Sequence, residues 1–418
     1  MFTWHNMAKV RSGLFRALRH RHYSVQSTAS ISPESINVKP FHEIPGPKGK
    51  YTIPWIGTVL MTRSMGLYPK FKFADFATKL QETFGDLVKT RLKDKWTVFV
   101  FHPDIAKEVM DIRMPHPYRP PIDILAAYSS RKNHCQSLAT RNGEEWAALR
   151  KPTQELITKP AVVADYVHIL SDVAEDFVGK YKNGGKVADL RSTLVNYATE
   201  SVGMLCFNRR LGCLCDVPII DINLLEDMFE AIFIDYNYQG VKLYKYFETP
   251  FYKKFERAAD HLYGICHAEI RIAMEKLEAA KREGKIEEYV DGPNLLYSML
   301  THPSMTLEYT ERSLMDLFVA GVESTANTLT FLWFELAKNP EKQERLYEEI
   351  ISVCGDSDVT KEALTRMSYL KACVREIMRL YRPTNLHFRY LKNEAVIGGY
   401  RIPPGEAVYF QPLFAHVL

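Results

Sequence analysis

A helical pattern runs from near Leu307 to Lys338, and Asn339-Pro340-Glu341 stops it and opens the next helix. At 1.5 Å per residue such a helix is roughly 45 Å long, enough to cross a whole domain. From about residue 143 to 350 the pattern is almost wholly helical, and strands are confined to the two ends. Phe73, Phe76, Leu80 and Phe84 keep helical spacing. Leu87–Leu92 and Trp96–Phe101 are short β-rich runs joined by Lys93-Asp94-Lys95, which predicts a hairpin. A further helix is expected to open near Pro103, since proline is tolerated in a first turn. Another is expected over Leu370–Tyr381, after which Gly398-Gly399, Pro403-Pro404 and Gly405 punctuate a β-like tail. The expected fold class is mainly α with small β-sheets.

Charge narrows the function. The chain carries 54 basic and 50 acidic side chains, a net charge of +4, which argues against a nucleic-acid binder driven by bulk charge. The excess sits at the start. Lys9, Arg11, Arg16, Arg19 and Arg21 precede the first acid, Glu34, and the remainder is close to neutral. Met7, Val10, Leu14 and Leu18 fall on one helical face. An Arg-rich, acid-free, amphipathic start has the composition of a mitochondrial transit peptide; a disordered basic tail is the alternative. Arg21-His22-Tyr23-Ser24 is similar to a matrix-protease site, with cleavage after Tyr23. The expected organisation is a transit peptide over residues 1–23, a polar and proline-rich hinge over 24–50 ending in Ile44-Pro45-Gly46-Pro47, and one body over 51–418. No run approaches the roughly 18–20 apolar residues of a spanning helix. The seven cysteines, Cys135, Cys206, Cys213, Cys215, Cys266, Cys354 and Cys373, form no pair of CxxC units, so a zinc site is unsupported and no metal ligand is assigned. Free thiols suit a reducing compartment such as the mitochondrial matrix.

Three constellations stand out. Ala320-Gly321-Val322-Glu323-Ser324-Thr325 lies at the middle of the long helix. Glycine costs about 1 kcal/mol there, and a buried carboxylate costs more unless it is paired. A helix accepting both is expected to open a local gap for a ligand; a tolerated glycine beside a surface acid is the blander reading. Glu376 and Arg379 share a helical face and can pair; most such pairs are simply solvent-exposed. Trp146 and Arg150, four apart, can present an indole N–H and a guanidinium to an anion; a boundary tryptophan beside a surface arginine is the default. Residues 229–255 add a dense set of aromatics, among them Phe233, Tyr238, Tyr246 and Phe247, with Lys242, Lys245, Lys253 and Lys254. They read as helix core with a solvated rim, or as the roof of an apolar pocket touching a membrane surface.

In this order and at these separations, the chain resembles the cytochrome P-450 family over about residues 40–418. Trp146 and Arg150 match its W-x-x-x-R, Ala320–Ser324 its oxygen-activating motif, and Glu376 and Arg379 its E-x-x-R. Ile44-Pro45-Gly46-Pro47 matches its hinge, and Gly399-Tyr400-Arg401-Ile402-Pro403-Pro404-Gly405 its late hairpin. Lys371 and Arg375 are similar to the basic pair on which the mitochondrial branch receives a ferredoxin. Within that branch, Tyr118-Arg119-Pro120-Pro121, the run Gly321–Leu329 and Leu380-Tyr381-Arg382-Pro383 resemble the arthropod ecdysone 20-monooxygenases.

The resemblance implies a monooxygenase carrying haem b, whose iron is held by a cysteine thiolate that favours O–O cleavage. It implies an apolar steroid-like substrate, a mitochondrial ferredoxin as partner, peripheral inner-membrane contact on the matrix side, and no nucleic acid. It gives Glu323, Ser324 and Thr325 to catalysis, with Ser324 where the family usually has threonine. Trp146, Arg150 and Arg389 would bind haem propionates, and Glu376 and Arg379 would hold the core beneath. One departure stands against this. None of the seven cysteines lies in an F-x-x-G-x-R-x-C-x-G context, so the expectation is a P-450 fold lacking its C-terminal haem-ligand region. Such a chain is not expected to be a competent monooxygenase. A non-catalytic short form that binds ferredoxin, or a fragment without function, are the alternatives.

Overall fold

The computed structural model describes residues 38–67, 73–92, 95–112, 114, 116–119, 122–158, 160–181, 187–215, 220–237, 242–285, 294–382 and 387–410. The expected transit peptide, the Lys93-Asp94 turn, Pro120-Pro121, Tyr238, Pro383 and Phe414–Leu418 lie outside them.

The first half of the described chain runs α1 (Ile56–Ser64), α2 (Phe73–Phe84), strands β1 (Leu87–Leu92) and β2 (Lys95–Val100), α3 (Pro103–Asp111), α4 (Asp123–Lys132), α5 (Gly143–Ile157), α6 (Pro160–Asp165), α7 (Val167–Gly179) and α8 (Leu190–Phe207). The second half runs α9 (Ile222–Asn237), α10 (Pro250–Glu283), α11 (Leu295–Thr301), α12 (Leu307–Lys338), α13 (Pro340–Cys354), α14 (Lys361–Arg366) and α15 (Ser368–Leu380), then β3 (His387–Tyr390), β4 (Ala395–Ile397), β5 (Tyr400–Ile402) and β6 (Ala407–Phe410).

Local chemistry sets the long helix. The Thr306 hydroxyl accepts from the Tyr309 N–H at 3.1 Å, capping α12, and Pro340 starts α13 in the turn after Asn339. Along α12, Leu314, Phe318, Val322 and Ala326 recur every four residues, and none is more than 1% exposed. That stripe packs on α8 and forms the centre of the main helical core with Tyr128, Tyr252 and Phe255. Truncating Phe318 to alanine there would cost about 3–5 kcal/mol.

The strands form one four-stranded sheet in the order β1-β2-β6-β3, with β2 and β6 parallel and the other pairs antiparallel. Alternation assigns its two faces. Phe99, Tyr409 and Phe388 pack on Phe73 and Phe76 of α2, while Val98, Val100, Val408 and Phe410 face Ala106 and Val109 of α3. β4 and β5 make a separate hairpin. The segment Ile44-Pro45-Gly46-Pro47 is docked on β1, where the Lys89 N–H donates to the Pro45 carbonyl at 2.8 Å. A Cβ on Gly46 would lie 1.9 Å from the Lys89 carbonyl oxygen, so only glycine permits this approach.

Candidate active site

Arg119 is held from four sides. Its N–H donates to the Asn142 Oδ1 at 2.8 Å, and the Asn142 Nδ2 donates back to its carbonyl at 2.9 Å. Its Nη2 donates to the Leu138 carbonyl at 2.8 Å, and its guanidinium lies 5.9 Å from the centre of the Trp146 ring. The segment before it is fastened beside the sheet by the Tyr390 N–H, which donates to the Tyr118 carbonyl at 2.9 Å. Gly143 opens α5 at φ +64°, and a Cβ there would strike the Tyr118 hydroxyl at 2.4 Å. Asn142, Gly143 and Trp146 thus act together to seat Arg119 at the start of α5.

His387 and Arg389 share a face of β3, two residues apart. Burial, then the nearby charges of Arg389 and Arg119, hold the His387 imidazolium below its ordinary range. Burial also lowers Arg389, and lowers Arg382 together with Arg379. Among the described residues neither Arg382 nor Arg389 has an acidic partner. Arg389, half-buried beside His387 and without a described acidic partner, forms a site that an anion would complete, best a carboxylate or phosphate.

Trp146 and Arg150 share the expected face of α5. The Trp146 contact described, however, is with Arg119, and the Arg150 Nε donates to Gln154 Oε1 at 3.2 Å. α5 is tied to α12 by a buried pair of hydroxyls, Thr153 and Ser313, 3.1 Å apart.

The centre of α12 is a different kind of site. Glu323 takes two bonds from Arg191 Nη2 of α8, at 3.0 and 3.2 Å, and one from Asn327 Nδ2 at 2.8 Å. Arg191 also pairs with Glu226 of α9 at 2.9 Å. Burial works against the Arg191 charge, and Glu323 and Glu226 outweigh it, so its pKa is raised. The Ser324 hydroxyl donates to the Ala320 carbonyl at 2.7 Å, and Ala320 is exposed although it stands mid-helix. Thr325 is half-buried one residue on. The expected gap at Gly321 is not there: α12 is continuous helix from Leu307 to Lys338. Gly321 instead meets α8, where a Cβ would sit 3.0 and 3.2 Å from the methyls of Val202. The glycine is used for close helix crossing.

Glu376 and Arg379 form a two-bond pair at 2.6 and 2.5 Å on the outer side of α15, the acid's pKa lowered and the base's raised by the other. Lys371 and Arg375 are exposed on the same helix, and Lys371 Nζ donates to the Thr365 carbonyl at 2.9 Å. The cysteines stand elsewhere. Cys135, Cys206, Cys213 and Cys266 are buried, and burial pushes the thiols of Cys213 and Cys266 up to about 12. Cys215 and Cys354 lie at or beyond helix ends, and Cys373 is raised by burial and by Glu349 of α13. A hollow of about 730 Å³ between α7 and the loop before α14 is lined by acids including Glu155, Asp165, Asp172 and Glu362, and by no expected site residue.

Comparison with known proteins decides the family. Residues 47–416 match the family described as cytochrome P-450. The chain belongs to the cytochrome P-450 family. Its members are monooxygenases that bind haem b. The chain is similar to an ecdysone 20-monooxygenase of Drosophila melanogaster, 28% identical over 394 residues, covering 89% of this chain and 71% of that protein. A probable mitochondrial cytochrome P-450 of the same fly is 28% identical, covering 90% of this chain and 72% of that protein. A cyanobacterial cytochrome P-450 solved with retinoic acid bound shares the fold at a TM-score of 0.68 and 18% identity, over 91% of this chain and 78% of that one. The mainly helical P-450 fold with small sheets is therefore this chain's fold. The rim formed by Arg389, His387 and Arg119 fits haem, whose two carboxylates are anions that such cations can hold.

Sequence reading missed Arg119 as a site residue, although it lies in a run quoted for the family likeness. It also missed Asn142 and Arg191. Their partners are distant in sequence, so spacing carried no signal for them.

Proposed function

We propose that this chain is the scaffold of a mitochondrial-type P-450 that hydroxylates an apolar, steroid-like substrate, with ecdysteroids the first class to test, using electrons from a ferredoxin. The observation that carries the reading is the half-buried Arg389, which has no acidic partner among the described residues, beside His387 and Arg119 in a chain of this family. Trp146, Arg150 and Arg389 hold the haem carboxylates, with Arg119 added to them. When bound, haem supplies the oxidising centre. Glu323 moves protons toward the site: its carboxylate is fixed by Arg191 and Asn327 but only part-buried, so water reaches it. The Ser324 hydroxyl, parked on the Ala320 carbonyl, turns to offer a hydrogen bond, without the methyl that limits a threonine's rotation. Thr325 shares that role. Glu376 and Arg379 hold the scaffold under the haem.

Lys371 and Arg375 receive the acidic ferredoxin. Residues 1–23 address the chain to the matrix, and residues 24–50 link that address to the body. The body rests on the inner membrane through apolar side chains that stand out from it. Among the described residues no helix is long and apolar enough to cross a membrane. Phe233, Leu243, Tyr246 and Phe247 are more than half exposed, and Trp55, 49% exposed, sits in a strained γ-turn closed by the Ile56 N–H on the Pro54 carbonyl.

Burial disfavours the thiolate at Cys135, Cys206, Cys213, Cys266 and Cys373, and no cysteine has the family's ligand context. This favours, as a second reading, a non-catalytic form that binds ferredoxin. The test gives the purified, haem-loaded chain ferredoxin, its reductase, NADPH and an ecdysteroid. Hydroxylated product would overturn the non-catalytic reading. Ferredoxin binding that weakens with salt and is lost in K371E/R375E is expected; binding indifferent to both would sink the docking surface.

A further inference from the structure

Asp316, on α12, divides its carboxylate between its own helix and a loop outside it. Oδ1 accepts from Arg312 Nε at 3.0 Å and from the Ser137 hydroxyl at 2.9 Å, and Arg312 Nη2 also pairs with it. Oδ2 accepts from the Leu138 N–H at 2.7 Å. The carbonyl of that same Leu138 accepts from Arg119 Nη2 at 2.8 Å. A single residue of backbone therefore separates Asp316 from the rim guanidinium. The arrangement is rigid at its base, because Ser137 is 1% and Arg312 4% exposed, and Arg312 is bonded in turn to the Tyr263 hydroxyl.

We propose that Asp316 is a positioning residue of the site: it fixes Leu138, whose carbonyl aims the Arg119 guanidinium along the Trp146 ring. This rests on the reading of Arg119, His387 and Arg389 as the seat of the haem carboxylates. Asp316 lies about two turns before Ser324 on one continuous helix. The anion-binding rim is thereby keyed to the helix that carries the catalytic hydroxyl, and a shift of one is felt by the other. Neither Asp316 nor Ser137 needs to touch haem for this.

The experiment uses the full chain with two variants. D316N removes the charge but leaves Arg312 buried without its partner, so it risks the fold. S137A removes one arm and keeps the Arg312–Asp316 pair. Hydrogen exchange is followed at the Leu138 and Arg119 amides, and binding is titrated with hemin and with hemin dimethyl ester, which lacks the carboxylate charges. Loss of one charge-assisted bond is expected to speed exchange at Leu138 and weaken hemin by about tenfold in S137A, more in D316N. Ester binding is expected to be unchanged, and S137A to have no further effect in an R119Q background. Equal weakening of hemin and ester, or the same weakening without Arg119, would make Asp316 merely structural and overturn the proposal. Faster exchange with unchanged hemin affinity would overturn it too. If the parent chain binds hemin no tighter than its ester, the rim reading itself fails, while exchange at Arg119 still reports the mechanical link. No change there in either variant overturns that link.

Discussion

Two charged regions of this molecule are built on opposite plans. At the centre of α12, Glu323 is matched by Arg191 and Asn327, and Arg191 is matched again by Glu226. At the rim, Arg119, His387 and Arg389 gather with no acid for Arg389, and burial presses His387 and Arg389 toward neutrality. The first network closes on itself and joins three helices. The second leaves a positive charge half-buried, which a fold tolerates when a ligand completes it. Internal matching marks structure that can also handle protons; an unmatched excess marks a binding site.

The largest expected effect lies at the rim. R119Q/R389Q is expected to weaken hemin by roughly 100-fold, about 1.4 kcal/mol for each lost charge-assisted bond, a larger loss than the hemin-free chain shows in unfolding, where only the Arg119 contacts to Leu138 and Trp146 go. A hemin-free chain destabilised as much as its complex would erase the contrast. Next comes R191M, expected to cost the hemin-free chain about 1–2 kcal/mol in denaturant unfolding, a figure kept small because the three side chains are about a third exposed. Hemin affinity should hardly move.

pH separates the regions further. His387 has a folded pKa below its unfolded value near 6.5, so the unfolded chain binds more protons in that window. Its contribution to stability is present above that unfolded value and is lost as pH falls through the folded pKa. Hemin affinity should move the other way, rising over the same fall because the carboxylates favour the imidazolium. H387Q should flatten both slopes, and parallel slopes in the parent chain would contradict the assignment. The smallest effect concerns helix crossing. G321A gains about 1 kcal/mol of helix propensity and loses a similar amount against Val202, so it should be near neutral. In a V202A background it should stabilise by about 1 kcal/mol, as thermal unfolding would register.

Much of this was legible in the sequence, for local reasons. The helical pattern from near Leu307 and the stop at Asn339-Pro340 bound α12, and the hairpin of β1 and β2 followed from its β-rich runs and polar turn. That Trp146 and Arg150 share one face of α5 followed from helical spacing. Arg119 was not legible as a site residue, because its role depends on β3 lying beside it, and β3 is distant in the chain. Gly321 misled because helix propensity counts only the cost of the residue; the gain, close approach to Val202, is tertiary. Glu323 was legible as a mid-helix acid that burial would penalise unless it were paired, and only the fold brings Arg191 to it.

The most direct test is the reduced, carbon-monoxide-bound absorption spectrum of the haem-loaded chain. The account predicts a haem band that needs roughly 100-fold more hemin to develop in R119Q/R389Q and lacks thiolate character, because the rim holds the group and none of the seven cysteines ligates its iron. A thiolate-type Soret band would contradict it, placing one of those cysteines on the iron.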